Sequence, residues 1–127
     1  MLLLSPSVLA QEVDGEDNLP SVAPEDVAPP YEDQLERLSE VLGSLHFLRQ
    51  ICTAEDAEEW RQSMASFLDA EQPSPRRRAK FVALFNRGYE GFSSLYTRCT
   101  AQAMEATRRY LKEGRALSEG IVNRYGN

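Results

Sequence analysis

Residues 74–99 read SPRRRAKFVALFNRGYEGFSSLYTRC and contain a wide apolar pattern. Ser74 followed by Pro75 is typical of a helix N-cap and first helical position. The apolar residues after them recur at steps of three and four on two adjacent stripes, which predicts a helix (helix three) with a wide apolar face. We expect such a face on the central helix of a bundle. The stripes are Val82, Phe85, Tyr89, Phe92, Tyr96 and Cys99, and Phe81, Leu84, Gly88, Gly91 and Leu95.

Three further helices are predicted around this segment. Helix one should run from Tyr31 to Cys52, and helix four should begin after Thr100 as N-cap and continue to the chain end. Helix two is expected to start at Thr53, with Asp56 three residues later as in a capping box. No alternating run with turn signals predicts a strand. Since short connections make neighbouring helices antiparallel, the predicted fold is an all-α, four-helix antiparallel bundle.

Cys52 and Cys99 are the two cysteines of this 127-residue chain. In the predicted bundle, helices one and three point the same way and end at these cysteines. Both thiols should therefore lie at one end of the bundle, as a disulfide requires. Closing that loop would stabilise the fold by about 4 kcal/mol on the chain-entropy model. The alternative is two buried free thiols, as in a reduced cytosol.

The beginning of the chain differs in composition from the rest. Residues 1–10 read MLLLSPSVLA and are predicted to be a signal-peptide remnant, with Val8 and Ala10 near the cleavage site. The alternatives are a frayed terminus and a misassigned start codon that removed the basic n-region. Residues 11–30 hold six acids, no base and four prolines, which predicts a disordered acidic linker or, alternatively, an acidic recognition tail. The helical domain should then span residues 31–127.

Charge is distributed unevenly in a chain whose net charge is −6. Residues 31–74 hold ten acids and three bases, whereas residues 75–127 hold four acids and eleven bases. The folded part can therefore present a basic surface. One His and two separated Cys argue against a zinc finger, an iron–sulfur cluster or a covalent haem motif built by this chain alone. No apolar run is long enough to span a membrane, and no cofactor or metal is predicted.

A group of bases in the first turns of helix three is the first candidate binding surface. The helix dipole disfavours positive charge at this end, so the group suggests an anionic ligand. That ligand could be a phosphate, a carboxylate-rich glycan, a lipid head group or an acidic protein face. The alternative is neutralisation by Asp69 and Glu71 at the end of helix two. The bases are Arg76, Arg77, Arg78 and Lys80.

A second candidate surface lies further along helix three, at Asn86-Arg87-Gly88-Tyr89-Glu90-Gly91-Phe92. Two glycines inside a helix each cost roughly 1 kcal/mol relative to alanine, so another interaction should offset them. One possibility is the close approach of a neighbouring helix. The other is a shallow groove flanked by Asn86, Arg87 and Tyr89 that holds a ligand or partner. Nucleic acid is not expected as a partner of the basic group, because the chain is predicted to be exported and no aromatic residues interleave with the basic run.

Helix one contains weaker candidates for chemistry. His46 and Cys52 are six residues apart and point roughly 240° apart on a helix, so they cannot pair, and His46 is expected to be a boundary residue. Glu32, Glu36 and Glu40 are spaced by four, which is typical of a solvated face and supplies at most half of a metal site. No phosphate-loop, nucleophile-elbow or zincin pattern occurs, and no catalytic residue is predicted.

Short motifs along the helical part are shared with a group of similar chains. By these motifs, residues 31–127 resemble an uncharacterised family of small exported alphaproteobacterial proteins. The resemblance implies export and paired cysteines, and it brings no established activity. The motifs lie at Tyr31–Leu35, Leu45–Cys52, Trp60–Arg61, Phe85–Phe92, Cys99–Thr100 and Arg124–Asn127.

The expected function is that of a periplasmic, non-enzymatic accessory protein in a Gram-negative cell envelope. Its partner would be an envelope protein, for example a peptidoglycan-remodelling transpeptidase, or an anionic wall or lipid group. One alternative is a periplasmic chaperone or ligand carrier whose bundle opens to expose the Phe81–Leu95 stripe. Another is a small wall-acting hydrolase that uses Glu36, Glu40 or Glu90 as an acid. The predicted binding residues are Arg76, Arg77, Arg78, Asn86, Arg87 and Tyr89.

Overall fold

The computed structural model describes residues 26–125, which form four α-helices. No strand occurs among these residues, so the predicted all-α, four-helix fold is confirmed. None of the four helices combines the length and apolarity of a membrane span. The predicted signal-peptide remnant and residues 11–25 of the predicted linker lie outside the described part. The helices are α1 at Glu32–Ile51, α2 at Ala57–Glu71, α3 at Pro75–Ser93 and α4 at Ala101–Tyr125.

Contacts at the two ends of α1 fix the direction of α3. Glu32 in the first turn of α1 pairs with Arg77 in the first turn of α3 at 2.6 Å. Cys52 directly follows α1 and is disulfide-bonded to Cys99, which lies beyond the end of α3. The two helices therefore run in the same direction, and the predicted disulfide at one end of the bundle is confirmed. Helix three was expected to continue to Cys99, but α3 ends at Ser93.

Other contacts show that α2 and α4 run against α1. Near the end of α1, the His46 ring lies 2.9 Å from the carbonyl oxygen of Ala57, the first residue of α2. Arg37 in the first half of α1 pairs with Glu113 in the middle of α4 at 2.6 Å, whereas Leu48 near the end of α1 packs against Ala103 near the start of α4. The up-down-up-down order follows from the short connections between the helices.

The central helix of the bundle is α1, and the expectation that helix three is central is wrong. Each of the other helices packs principally against α1. Six consecutive residues of α1, from Val41 to His46, are buried, which requires neighbours on several sides of the helix. On the wide apolar face of α3, by contrast, Val82 is 38% exposed, and Leu95 beyond its end is 70% exposed. Periodicity measures the width of an apolar face but does not show whether all of it is covered.

A glycine pair brings α1 and α3 into backbone contact. A Cβ atom on Gly43 would overlap the carbonyl oxygen of Phe85, and one on Gly88 would overlap the carbonyl oxygen of Glu40. The hydroxyl of Ser44 lies 3.0 Å from the Glu40 carbonyl oxygen and 3.2 Å from that of Gly88. Neither glycine can therefore carry a side chain without moving a helix. The close-approach interpretation of Gly88 is confirmed.

The apolar core consists of two clusters along α1. The larger cluster joins α1, α2 and α3, and side chains of α4 pack against it. The smaller cluster joins the end of α1 to the start of α4. The larger contains Leu35, Leu38, Leu42, Met64, Leu68, Phe81 and Phe85, and the smaller contains Leu48, Ala103 and Ala106.

Two of the three predicted helix caps are confirmed. The hydroxyl of Ser74 accepts a hydrogen bond from the backbone N–H of Arg77 at 3.2 Å. Thr100 does the same for Ala103 at the start of α4, at 3.0 Å. Each cap satisfies a backbone N–H that has no partner within its helix.

The predicted cap at Thr53 is wrong. Thr53 has a positive φ of 53°, and its hydroxyl donates to the carbonyl oxygen of Cys52. Helix α2 begins only at Ala57, and its N-cap residue Asp56 makes no side-chain cap hydrogen bond. The Asp56 carboxylate accepts instead from Arg49 of α1 at 2.8 Å. Because the Asp56 carboxylate is bonded to Arg49, it does not form the capping-box hydrogen bond that the sequence predicted.

Candidate functional site

The basic group at the start of α3 is divided between the interior and the surface. The side chain of Arg77 is 9% exposed and donates to both carboxylate oxygens of Glu32, at 2.6 and 3.2 Å. A carboxylate oxygen of Glu71 lies 3.7 Å from the same guanidinium. Lys80 pairs with Glu32 at 2.9 Å and with Glu36 at 2.8 Å. Arg77 and Lys80 thus join α1 to α3, and their charges are neutralised within the fold.

The acids that neutralise these bases lie mainly on α1 rather than on α2. Of the two predicted partners, Glu71 reaches Arg77 only at 3.7 Å and also accepts a hydrogen bond from the Tyr31 hydroxyl at 3.2 Å. Asp69 forms no ion pair with any described residue. The interpretation of the α1 acids as a solvated face is wrong, because the Glu32 side chain is 7% exposed and its neighbours along α1 also pair with bases. The sequence did not reveal this pairing because it depends on the parallel alignment of α1 and α3.

Ion pairing keeps the buried carboxylate charged. Burial by itself would raise the pKa of the Glu32 carboxyl, but hydrogen bonds from Arg77 and Lys80 outweigh it and lower that pKa below its ordinary value. The hydrogen bond to Glu32 is the main cause of the raised pKa of Arg77. The pKa of Lys80 is also raised, mainly by its hydrogen bond to Glu36. All three groups are therefore ionised at neutral pH.

A second set of ion pairs extends along α1. Arg37 donates a bidentate pair of hydrogen bonds to the carboxylate of Glu113 in α4, at 2.6 and 2.9 Å. It donates a third hydrogen bond to Glu40 at 3.1 Å. The hydrogen bond from Arg37 lowers the pKa of the Glu113 carboxyl. Arg87 of α3 pairs with Glu40 at 3.2 Å, although its side chain is 73% exposed. Arg87 is thus a surface residue with an internal partner.

Four of the predicted binding residues are exposed on α3, and three of them have no partner among the described residues. Arg76, Arg78 and Asn86 make no ion pair or side-chain hydrogen bond with any described residue. At 100° per residue, Arg76 and Arg87 lie on one flank of the buried face of α3, whereas Arg78 and Asn86 lie on the other. The predicted residues therefore do not converge on one site. The first turn of α3 carries two exposed arginines, one on each side of the buried Arg77.

Tyr89, the sixth predicted residue, belongs to a packed group of rings. Its ring contacts those of His46 and Phe47 at centroid distances of 5.6 and 5.2 Å, and its hydroxyl donates to Gln50 at 2.8 Å. His46 is buried, and its Nδ1 donates to a backbone carbonyl. A Cβ atom on Gly91 would meet nothing within 4 Å, so close packing does not explain that glycine.

An apolar groove of about 490 Å³ lies between α2 and α4. Its floor is formed by α1, and its walls combine aromatic, aliphatic and small residues. The sequence analysis missed this groove because it forms between two helices that pack on α1 rather than on each other. The only local signal is a set of small residues at facing positions of α2 and α4. The lining consists of Leu38, Leu42, Leu45, Trp60, Ser63, Ser66, Phe67, Leu111, Gly114, Arg115 and Ser118.

The polar groups of this groove can all donate hydrogen bonds. Arg115 is the only charged residue of the lining, and it forms no ion pair with any described residue. The Trp60 indole N–H is buried without a well-formed hydrogen bond. The bond from Arg49 is the main cause of the lowered pKa of the Asp56 carboxyl, and the indole adds weakly to that effect. No acid lines the groove, so its polar character is positive.

A second cleft, of about 350 Å³, lies beside the disulfide. Two arginines line it, but each already has an acidic partner: Arg49 pairs with Asp56 at 2.8 Å and Arg108 pairs with Glu105 at 2.7 Å. Among residues 26–125, no three His, Cys, Asp or Glu side chains come together as a metal site would require.

Comparison with known proteins places the chain in a family. A family model described as a protein of unknown function, DUF2385, matches residues 30–125. The chain belongs to the DUF2385 family. No curated protein and no solved structure matches it.

The DUF2385 match covers all four helices of the structure, from the residue before Tyr31 to the end of α4. Both cysteines, the basic group of α3 and the groove between α2 and α4 thus lie within the family domain. The expected membership of an uncharacterised family is confirmed.

Proposed function

We propose that this DUF2385 protein is a non-enzymatic accessory protein of a Gram-negative cell envelope, which binds and supports a peptidoglycan-remodelling enzyme in the periplasm. The observation that carries the proposal is the division of the arginines at the start of α3. Arg77 is neutralised inside the fold, whereas Arg76 and Arg78 are exposed and unpaired among the described residues.

Helix electrostatics support a binding role for the two exposed arginines. A positive charge in the first turn is disfavoured by roughly 0.3–1 kcal/mol, and no described acid offsets this cost at Arg76 or Arg78. An acidic face of a partner would offset it. We therefore assign the contact with the partner to Arg76 and Arg78 in the first turn of α3.

The disulfide supports the proposed compartment. Disulfides persist in oxidising environments such as the bacterial periplasm and are rare in a reducing cytosol. The Cys52–Cys99 bond joins the end of α1 to the residue before the N-cap of α4 and so fixes the arrangement of three helices. A protein with this bond is suited to the cell envelope.

The alternative of a wall-acting hydrolase receives no support from two of its three predicted acids. The carboxylate of Glu36 pairs with Lys80, and that of Glu40 pairs with Arg37 and Arg87. Both acids serve the contacts of α1 with its neighbours rather than an open cleft.

Crosslinking capture of the tagged full chain from its own periplasm tests the proposal. The test variant is R76E/R78E, which keeps the buried Arg77, and the matched control R109E/K112E makes the same charge change on the exposed surface of α4. Wild type and control should capture the same wall enzyme. R76E/R78E should lose it while its unfolding midpoint stays at or above that of the wild type, because glutamate is favoured in the first turn of a helix. Equal capture by all three proteins would contradict the assigned surface, and capture of no wall enzyme by the wild type would contradict the function.

A further inference from the structure

We propose that the groove between α2 and α4 binds a single-chain amphiphile with a carboxylate head group, that is, a fatty acid. The groove is distinct from the first turn of α3, so this proposal does not depend on the accessory function. It rests on the size and lining of the groove and on the charge at its rim.

The lining of the groove is mostly apolar and can pack against an acyl chain. Three leucines of α1 form the floor, and aromatic and aliphatic side chains of α2 and α4 form the walls. A volume of about 490 Å³ lies within the range of about 300–1,000 Å³ that small-molecule sites occupy. This volume is near the lower end of that range, which favours one acyl chain over a two-chain lipid. The residues that would contact the chain are Leu38, Leu42, Leu45, Trp60, Phe67 and Leu111.

The positive charge of Arg115 at the rim of the groove favours an anionic head group on the ligand. Arg115 is exposed and unpaired among the described residues, and Glu113, two residues away, is already bonded to Arg37. Ser118 lies three residues after Arg115 on α4, so the hydroxyl and the guanidinium occupy the same side of the helix. A carboxylate can accept hydrogen bonds from both groups. Because no acid lines the groove, a cationic head group would find no partner.

Ligand binding in the groove can be followed by tryptophan fluorescence. Trp60 is the single tryptophan of the chain and lies in the groove wall. The emission of its indole should therefore change when an acyl chain displaces water from the groove. Dodecanoate, titrated below its micelle concentration into the full chain, is the probe, and dodecanol is its uncharged analogue.

We expect a saturable change in Trp60 emission with dodecanoate and weaker binding of dodecanol. R115E should weaken dodecanoate binding by about tenfold or more, since it removes a charge-assisted hydrogen bond and adds repulsion. R109E makes the same charge change on α4 at a residue outside the groove and should bind as the wild type does. Both variants should keep the wild-type unfolding midpoint, because neither arginine has an ion-pair partner among the described residues.

Three results would overturn the proposal. One is the absence of a saturable response in the wild type. Another is an equal loss of affinity in R115E and R109E, which would indicate a general charge effect. The last is binding of dodecanol as tight as that of dodecanoate, which would remove the role of Arg115. None of these results bears on the crosslinking experiment with R76E/R78E. The fatty-acid proposal can therefore be wrong while the accessory function is right, and the reverse.

Discussion

At the scale of single residues, neighbouring arginines in one helical turn have different roles. Arg77 is buried against Glu32, whereas Arg76 is exposed and unpaired among the described residues. The sequence places both in the same run and gives no local sign of the difference. That difference follows from the position of α1, which covers one side of α3 only.

Replacing Arg77 should therefore cost far more stability than replacing its neighbour. R77M leaves the buried Glu32 with Lys80 as its remaining partner, and breaking a buried pair typically costs about 3–5 kcal/mol. We expect a loss of about 3 kcal/mol for R77M and less than about 0.5 kcal/mol for R76M, measured by urea denaturation. Equal losses in the two variants would contradict the assigned roles.

The Glu32 carboxyl should make stability depend on pH in the acid range. Its pKa is lower in the folded protein than in the unfolded chain, where it is about 4.3. The stability it contributes is present above the unfolded pKa and is lost as the pH falls through the folded pKa. The difference in unfolding free energy between wild type and E32Q should thus be constant near pH 7 and shrink below about pH 4. A difference that stays constant down to pH 3 would contradict this.

At the scale of helices and their junctions, local chemistry predicted the starts of α3 and α4 but not that of α2. Ser74 and Thr100 cap helices through hydrogen bonds to residues three positions later, which a sequence shows directly. Asp56 is engaged by Arg49 of α1, a partner that depends on how the helices pack. The glycines of α3 show the same limit, since Gly88 lies in a helix contact and Gly91 does not.

The two glycines of α3 should respond in opposite directions to the same substitution. G88A forces a methyl group onto the backbone of α1 and should lower the unfolding free energy by about 1–3 kcal/mol. G91A adds a methyl group in open space and should raise it by about 0.5–1 kcal/mol through helix propensity. Chemical denaturation of both variants measures the pair. Destabilisation by G91A as large as that by G88A would show that the α1–α3 contact is not the cause.

At the scale of the whole molecule, the class of fold, the order of the helices and the disulfide could be predicted from the sequence, whereas the central helix and the groove could not. Helix periodicity and short connections are enough to predict the fold class, the order of the helices and the end of the bundle at which both cysteines lie. The groove depends on where α2 and α4 settle on α1, which also packs against α3 through Gly43 and Gly88. That arrangement is a property of three helices together and leaves little trace in any one of them.

The disulfide should contribute a large part of the stability of this small domain. It joins residues separated by 47 positions, and the chain-entropy model gives about 4 kcal/mol for a loop of that length. C52A/C99A should lose about that amount, and dithiothreitol should destabilise the wild type to a similar extent while leaving the variant unchanged. Thermal and urea unfolding with and without reductant provide the measurement. A wild-type protein insensitive to reduction would contradict the prediction.

The central claim is that the arginines at the start of α3 are divided between the fold and a partner. The most direct test measures capture of the proposed wall-enzyme partner by R76E, R77M and R78E, together with the unfolding free energy of each variant. We predict that R76E and R78E keep at least wild-type stability and lose capture, whereas R77M loses stability. Undiminished capture by R76E and R78E, with stability equal to that of the wild type, would contradict the claim.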